Sequence, residues 1–126
     1  MTPTHMDTLE TRAPAEREAA LLAALPAQIA HARGNSPAFA DILAGINPAA
    51  ITSRAALATL PVTRKHELLA RQQAQRAKNV FGGFSTIGFG ATMPRIFSSP
   101  GPMYEPEGTR RNYWRMARAL YAAGFR

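Results

Sequence analysis

The chain has 126 residues, a length that suits one domain of ordinary size or part of a larger one. Hydrophobic residues make up 46%, too many for a disordered protein, and the lack of cysteine excludes disulfides, thiolate metal sites and a cysteine nucleophile. The formal net charge of +7 points to nucleic acid, an anionic membrane surface or a phosphate-rich ligand as possible partners.

Residues 1–12 are predicted to be disordered, and residues 13–78 to form a helical segment. Pro14 suits the first turn of the opening helix. Four apolar side chains recur at helical spacing: Leu21, Leu22, Leu25 and Ile29. Pro26 interrupts this stripe and predicts a kink or a short break, and Gly34 is expected to end the helix.

Short helices are predicted to follow, each started by a polar cap. The pairs Ser36-Pro37 and Asn47-Pro48 combine a capping side chain with a proline suited to the first turn. Ser53 is expected to cap a helix through Leu57, and Thr63 to cap the next one, which carries Leu68 and Leu69 on one side.

Residues 79–126 have a different character. Glycine and bulky apolar residues alternate from Phe81 to Gly90, which suits a loop or irregular strand. Arg95–Phe97 is predicted as a short strand, Ser98–Pro102 as a loop, and Thr109 as the cap of a last helix with Tyr113, Trp114, Ala117, Leu120 and Tyr121 on its apolar face. A strand, a loop and a helix open a βα unit, and because no further strand follows, the sequence reads as the start of a truncated α/β domain.

The loop from Ser98 to Gly108 is the candidate site. Small residues between a strand and a helix let backbone amides approach an anion, and Ser98, Ser99 and Gly101 are suitable residues. Pro100 and Pro102 have no N–H to donate, so both a tight turn and a phosphate site stay open, with the turn favoured. The carboxylates around Tyr104-Glu105-Pro106-Glu107 favour a surface turn.

The last predicted helix is basic. It carries Arg110, Arg111, Arg115 and Arg118, with Tyr113 and Trp114 between them. Arginines and aromatic rings can hold nucleic acid, but rings that share the stripe of Leu120 favour an ordinary amphipathic helix with solvated arginines.

Other classes of site and location are less supported. The three histidines are scattered without a second ligand at metal spacing, so no metal site is expected. No apolar run approaches the roughly 18 residues of a membrane span, and no membrane partner is expected. The first residues lack the basic and apolar regions of a signal peptide, which favours the cytoplasm.

The order of these motifs resembles the N-terminal region of phenylacetate–CoA ligases, within the adenylate-forming superfamily. The resemblance rests on Ser36-Pro37-Ala38-Phe39, Asn47-Pro48, Leu60-Pro61-Val62-Thr63-Arg64-Lys65, the glycine-aromatic stretch from Phe81 to Phe97, and Tyr113 to Gly124. It covers nearly all of this chain but only the first part of the family's length. It implies a mainly α fold with minor β, namely an N-terminal helical segment plus the first βα unit of an incomplete α/β adenylate-forming domain.

The resemblance also implies an activity for the full-length parent. A carboxylate, of an aromatic or other organic acid, attacks the α-phosphate of ATP, and the thiol of coenzyme A then displaces AMP. ATP and coenzyme A are the co-substrates, Mg²⁺ is implied by ATP, and no cofactor is expected for the fragment alone. Ser98, Ser99 and Gly101 stand at the family's phosphate loop, where the usual Thr-Thr-Gly-Lys portion is missing.

Two alternatives remain beside the ligase reading. One is a small basic module that binds nucleic acid or another polyanion, although the arguments above do not favour nucleic acid. The other is a degenerate, non-catalytic remnant. The acid substrate and the oligomeric state do not follow from the sequence.

Overall fold

A computed structural model describes residues 4–125 of the protein. The α-helices are α1 (Pro14–Asn35), α2 (Pro37–Ile42), α3 (Arg54–Leu57), α4 (Lys65–Gln75) and α5 (Ala117–Ala122), and short 3-10 helices span Thr8–Glu10 and Pro48–Ala50. Strands β1 (Arg95–Ser99) and β2 (Met103–Glu107) form one antiparallel sheet. The protein is therefore mainly helical with a minor β component, as the sequence predicted. No helix in this part of the chain has the length and apolar character needed to cross a membrane.

Helix α1 continues through Pro26, so of the predicted kink or short break the break does not occur. At its start the Glu16 carboxylate accepts a hydrogen bond from the backbone N–H of Ala13, 3.2 Å away. Proline removes one N–H from the helical ladder, but alanine, the strongest helix former, is frequent on both sides of it. The helix ends at Asn35, one residue beyond the expected Gly34.

The hydrophobic core lies between α1 and the segment that follows it. Ile29, Leu43 and Ile51 are its buried residues. Further apolar side chains pack against them, partly buried: Leu25, Ala32, Phe39, Ile42, Ile46, Ala56 and Leu60. Burial of each large aliphatic side chain contributes about 1.5–3 kcal/mol, so this cluster is what holds α1 to the short helices after it.

Three of the five predicted caps are confirmed, and those at Thr63 and Thr109 are not. Ser36, Asn47 and Ser53 each accept a backbone N–H two or three residues further on. The predicted cap at Thr63 is wrong, since α4 begins at Lys65. There the Glu67 carboxylate accepts a hydrogen bond from the backbone N–H of Arg64 at 3.0 Å. This contact caps a helix that starts two residues after Thr63.

The glycine-aromatic segment lies between α2 and α4. Phe81, Gly82 and Gly83 are all buried. The Gly83 carbonyl accepts from the backbone N–H of Ala38 at 3.1 Å and from the Ser36 hydroxyl at 2.7 Å. The segment is thereby fixed to the start of α2 although it forms no regular strand.

The C-terminal part differs most from the sequence-based expectation. Ser98 and Ser99 belong to β1, and residues 103–107, expected as loop and surface turn, form β2. The last helix begins at Ala117 and not after Thr109. Asn112 and Arg115 have φ of 53° and 56°, and this left-handed backbone is incompatible with a helix through them. The strand is thus followed by an antiparallel partner instead of the expected βα connection.

The predicted disorder of residues 1–12 also needs correction. Residues Thr8–Glu10 form a 3-10 helix, and the Asp7 carboxylate accepts from the N–H of Leu9 at 3.0 Å. Arg118 of α5 donates two hydrogen bonds to Asp7, at 2.8 and 3.1 Å, which ties the segment to the far end of the chain. Residues 1–3 lie outside the described residues.

Candidate functional site

The turn of the β1–β2 hairpin holds the three residues singled out from the sequence. Ser98 pairs with Tyr104 and Ser99 with Met103, which leaves Pro100, Gly101 and Pro102 as a three-residue turn. Gly101 has φ of 100°, a conformation that L side chains rarely adopt and that three-residue hairpin turns commonly need.

The turn offers few hydrogen-bond donors. Ser98 and Gly101 are exposed, whereas the Ser99 hydroxyl is buried and has no hydrogen-bond partner within residues 4–125. The two prolines contribute no N–H. The turn therefore offers serine hydroxyls and a few backbone amides, with no basic side chain of its own.

Gln72 of α4 fixes the position of β2. Its side-chain amide donates to the Tyr104 carbonyl and accepts from the Tyr104 N–H, both at 2.9 Å. Gln72 is 2% exposed, and Gly82 packs closely against the backbone of α4 at this point. A Cβ on Gly82 would lie 2.9 Å from the backbone nitrogen of Gln72.

Glu107 organises the opposite end of the hairpin. Its carboxylate accepts from Arg95 at 2.6 Å and from the indole N–H of Trp114 at 2.9 Å. These hydrogen bonds hold the pKa of Glu107 below its ordinary value because they favour the charged form. The bond from Trp114 has the larger effect and the bond from Arg95 the next. Trp114 thus connects the hairpin to the segment that follows it.

The aromatic side chains after β2 are engaged in packing. Trp114 meets Phe97 edge-to-face at 5.6 Å between ring centroids and Tyr113 at 5.2 Å. The Tyr113 ring also lies against Gly108, where an added Cβ would approach it to 2.9 Å. These contacts fix both rings against their neighbours, although Trp114 remains 44% exposed.

Four arginines of this segment surround a cavity of about 290 Å³. The cavity is lined by Met6, Asp7, Arg110, Arg111, Asn112, Arg115 and Arg118. Arg110 and Arg115 also line a larger cavity of about 820 Å³ that extends to Gln28 and His31 of α1. The sequence predicted these arginines on one solvated helix face. All four are exposed, but Arg110, Arg111 and Arg115 lie on irregular backbone and only Arg118 lies on α5.

The structure does not bring the two candidate groups together. Ser98, Ser99 and Gly101 line neither of these cavities. The turn and the Arg95–Glu107 pair stand at opposite ends of the hairpin. At about 3.3 Å per residue, the two ends of β1 are about 13 Å apart. The serine turn and the arginine cavity are therefore separate features.

Known proteins give no further guide to this site. No protein-family model matches the chain, and neither the curated proteins nor the solved structures contain a significant match.

Sequence reasoning missed Gln72 and Glu107, which position the hairpin. Gln72 was not distinguished from the other polar residues of α4, and Glu107 was assigned to a surface turn. Residues 103–107 do not alternate apolar and polar side chains, and Pro106 argues against a strand unless that strand lies at an edge. In a two-stranded sheet both strands are edges, so Pro106 is tolerated.

Proposed function

We propose that this chain is the N-terminal portion of an ATP-dependent acid–CoA ligase, in which the turn at Ser98–Pro102 stands at the phosphate-loop position. The observation that carries the proposal is the ordered set of motifs from Ser36-Pro37 to Tyr113–Gly124. In this proposal the activity belongs to the full-length parent, which adenylates an aromatic or other organic acid and passes the acyl group to coenzyme A. The hairpin stands in the first part of its α/β domain.

The turn has features that support contact with a phosphate group. Gly101 leaves the tip without a Cβ, so an anion can approach the backbone closely. Ser98 is exposed, and the buried Ser99 hydroxyl has no hydrogen-bond partner among residues 4–125, so its donor is unused. The missing lysine and the two prolines make this a weak cradle, so other parts of the parent would have to hold most of the triphosphate.

Mg²⁺ would accompany ATP in this proposal. The described residues, 4 to 125, contain no group of three or more histidines and carboxylates able to hold a metal ion. Carboxylates and phosphate oxygens are the ligands that Mg²⁺ prefers, and nucleotide phosphates commonly supply most of them.

The test is exchange of labelled pyrophosphate into ATP by the full-length product, with a panel of aromatic and aliphatic acids. We expect exchange that depends on one acid class and thioester formation when coenzyme A is added. Ser99→Ala is expected to reduce exchange about tenfold if its hydroxyl donates to a phosphate, since a charge-assisted hydrogen bond contributes about 1.5–3 kcal/mol.

The matched control is Thr52→Ala, which removes an exposed hydroxyl far from the hairpin in sequence. It should leave exchange unchanged. Absence of exchange with every acid in the panel would reject the ligase proposal, and equal loss in both variants would reject the role of Ser99.

A further inference from the structure

The arginine cavity carries more positive charge than its own carboxylate can neutralise. Asp7 is the single acidic residue among the seven that line it, and its partner is Arg118. Glu10 adds a contact of 3.7 Å to the same arginine. Within residues 4–125, Arg110, Arg111 and Arg115 form no ion pair, so three guanidinium groups remain unbalanced around one small space.

Among residues 4–125, some arginines outside the cavity form ion pairs and others, such as Arg17 and Arg64, do not. Three are paired with carboxylates outside the cavity: Arg54 with Glu18, Arg71 with Asp41, and Arg95 with Glu107. Like charges that converge without a counterion repel one another, most strongly where solvent is partly excluded. An anion in the cavity would offset this repulsion and accept hydrogen bonds from several guanidinium N–H groups at once.

The backbone at the cavity is held in an unfavourable conformation. Asn112 tolerates left-handed φ, but for Arg115 the same conformation costs about 1–3 kcal/mol. Two hydrogen bonds fix this geometry. The Asn112 carbonyl accepts from the N–H of Arg115 at 2.8 Å, and its side chain accepts from Ala117 at 3.0 Å. Arg110, Arg111 and Arg115 thus line the cavity from a short stretch of backbone that these two hydrogen bonds hold in place.

We infer that this cavity binds a compact anion with two or more phosphate groups. Guanidinium groups present planar pairs of N–H donors that match phosphate oxygens, and three unbalanced arginines exceed what a single carboxylate would need. A volume of about 290 Å³ suits a small molecule better than a polymer.

This inference does not depend on the proposed ligase activity. Pyrophosphate exchange tests catalysis by the full-length product, whereas occupancy of the arginine cavity is a binding property that can be measured without any acid or coenzyme A. Either can therefore fail while the other holds.

The experiment is titration of the protein with inorganic pyrophosphate by calorimetry at low ionic strength. We expect saturable binding that weakens as salt is added, since the ion pairs are screened. The combined variant Arg110→Gln, Arg111→Gln and Arg115→Gln should weaken binding at least about tenfold for each charge-assisted bond lost. ATP carries the same linked phosphate groups and should compete with pyrophosphate.

The matched control lowers the net charge equally at exposed sites outside the cavity. It combines Arg17→Gln, Arg64→Gln and Lys65→Gln, all at exposed positions. The control should keep wild-type affinity. Equal loss in the two combined variants would mean that only bulk charge matters, and absence of pyrophosphate binding by the wild type would overturn the inference.

A second measurement avoids substitution altogether. Phenylglyoxal modifies accessible arginines, and peptide mass spectrometry locates the modified residues. Pyrophosphate should protect Arg110, Arg111 and Arg115 but not the exposed Arg17. Unprotected cavity arginines at saturating pyrophosphate would contradict the inference, and so would a single-stranded oligonucleotide that binds while pyrophosphate fails to displace it.

Discussion

Gln72 pairs with Tyr104 as a neighbouring strand would, because its side-chain amide satisfies both the N–H and the carbonyl of that residue at 2.9 Å. The sheet has only two strands, and a two-stranded hairpin is marginally stable by itself in water. Helix α4 therefore supplies, through one buried side chain, support that further strands would otherwise give. This contact joins the helical segment to the hairpin.

Gln72→Met should destabilise the protein by about 2 kcal/mol, since the volume is kept while two Tyr104 backbone groups lose their partners. Urea unfolding followed by circular dichroism measures the change. Gln73→Ala is the control, because Gln73 is the exposed neighbour on the same helix and should stay within about 0.5 kcal/mol of the wild type. A Gln72→Met protein as stable as the Gln73 variant would show that the amide pairing contributes nothing.

Gly82→Ala is expected to cost about 2 kcal/mol or more, because φ at this position is 61° and the new Cβ would lie 2.9 Å from the backbone nitrogen of Gln72. Neither backbone can move away without disturbing the contact with Tyr104. Gly88→Ala is the matched change, since a Cβ there meets nothing within 4 Å, and it should be neutral or slightly stabilising. Thermal unfolding of the two variants side by side decides the matter, and similar melting temperatures would contradict the close approach.

Local chemistry made part of this fold predictable from the sequence. Ser36, Asn47 and Ser53 cap their helices through hydrogen bonds that reach two or three residues, so the signal and its partner lie in the same short stretch. Thr63 failed as a cap because Glu67 offers a competing solution just as locally. Capping patterns indicate that a helix starts nearby, but they do not choose between adjacent starts.

Non-local contacts decided the rest. Tyr113 and Trp114 share helical spacing with Leu120, but Trp114 is held instead by Glu107 and Phe97 across the hairpin. The antiparallel arrangement likewise depends on contacts such as Gln72 with Tyr104, 32 residues apart. Hydrophobic periodicity carries no information about such distant contacts. It therefore predicted Tyr113, Trp114 and Leu120 on the apolar face of one helix.

The arginine cavity shows the same limit. Arg110, Arg111 and Arg115 were visible as a basic cluster, but their convergence on one space depends on positive φ at Asn112 and Arg115. The cavity wall also includes Asp7, which lies 111 residues from its partner Arg118. The sequence showed that this segment is basic, but only the path of the backbone showed that its arginines line one cavity.

Ser36→Ala should destabilise the protein by about 2 kcal/mol, more than loss of an ordinary helix cap, because the buried hydroxyl has two roles. It accepts from the Phe39 N–H at 3.3 Å and donates to the Gly83 carbonyl at 2.7 Å. Ser53→Ala removes a cap of the same type at an exposed position, with an expected cost of about 1 kcal/mol. Denaturant unfolding of both variants measures the difference, and equal costs would mean that the bond to Gly83 adds no stability.

Acid should weaken the hairpin through Glu107. Its native pKa lies below the ordinary value of 4.5, so between the two values the unfolded chain binds more protons than the native one. Its contribution to stability is therefore complete above the ordinary pKa and is lost as pH falls through the lowered native pKa. Asp7, whose pKa is also lowered, chiefly by its bond from Arg118, adds a dependence of the same sign.

Glu107→Gln isolates the first contribution, because the amide cannot titrate and cannot form the charged bond to Arg95. The free energy of unfolding, measured at intervals from about pH 6 to about pH 3, should fall less steeply for this variant than for the wild type. The difference in unfolding free energy between the wild type and this variant should be largest at the upper end of the pH range, where the wild-type carboxylate is fully charged. Glu105→Gln, an exposed change on the same strand, should reproduce the wild-type slope. If both variants keep that slope, Glu107 is not the group through which acid acts on the hairpin.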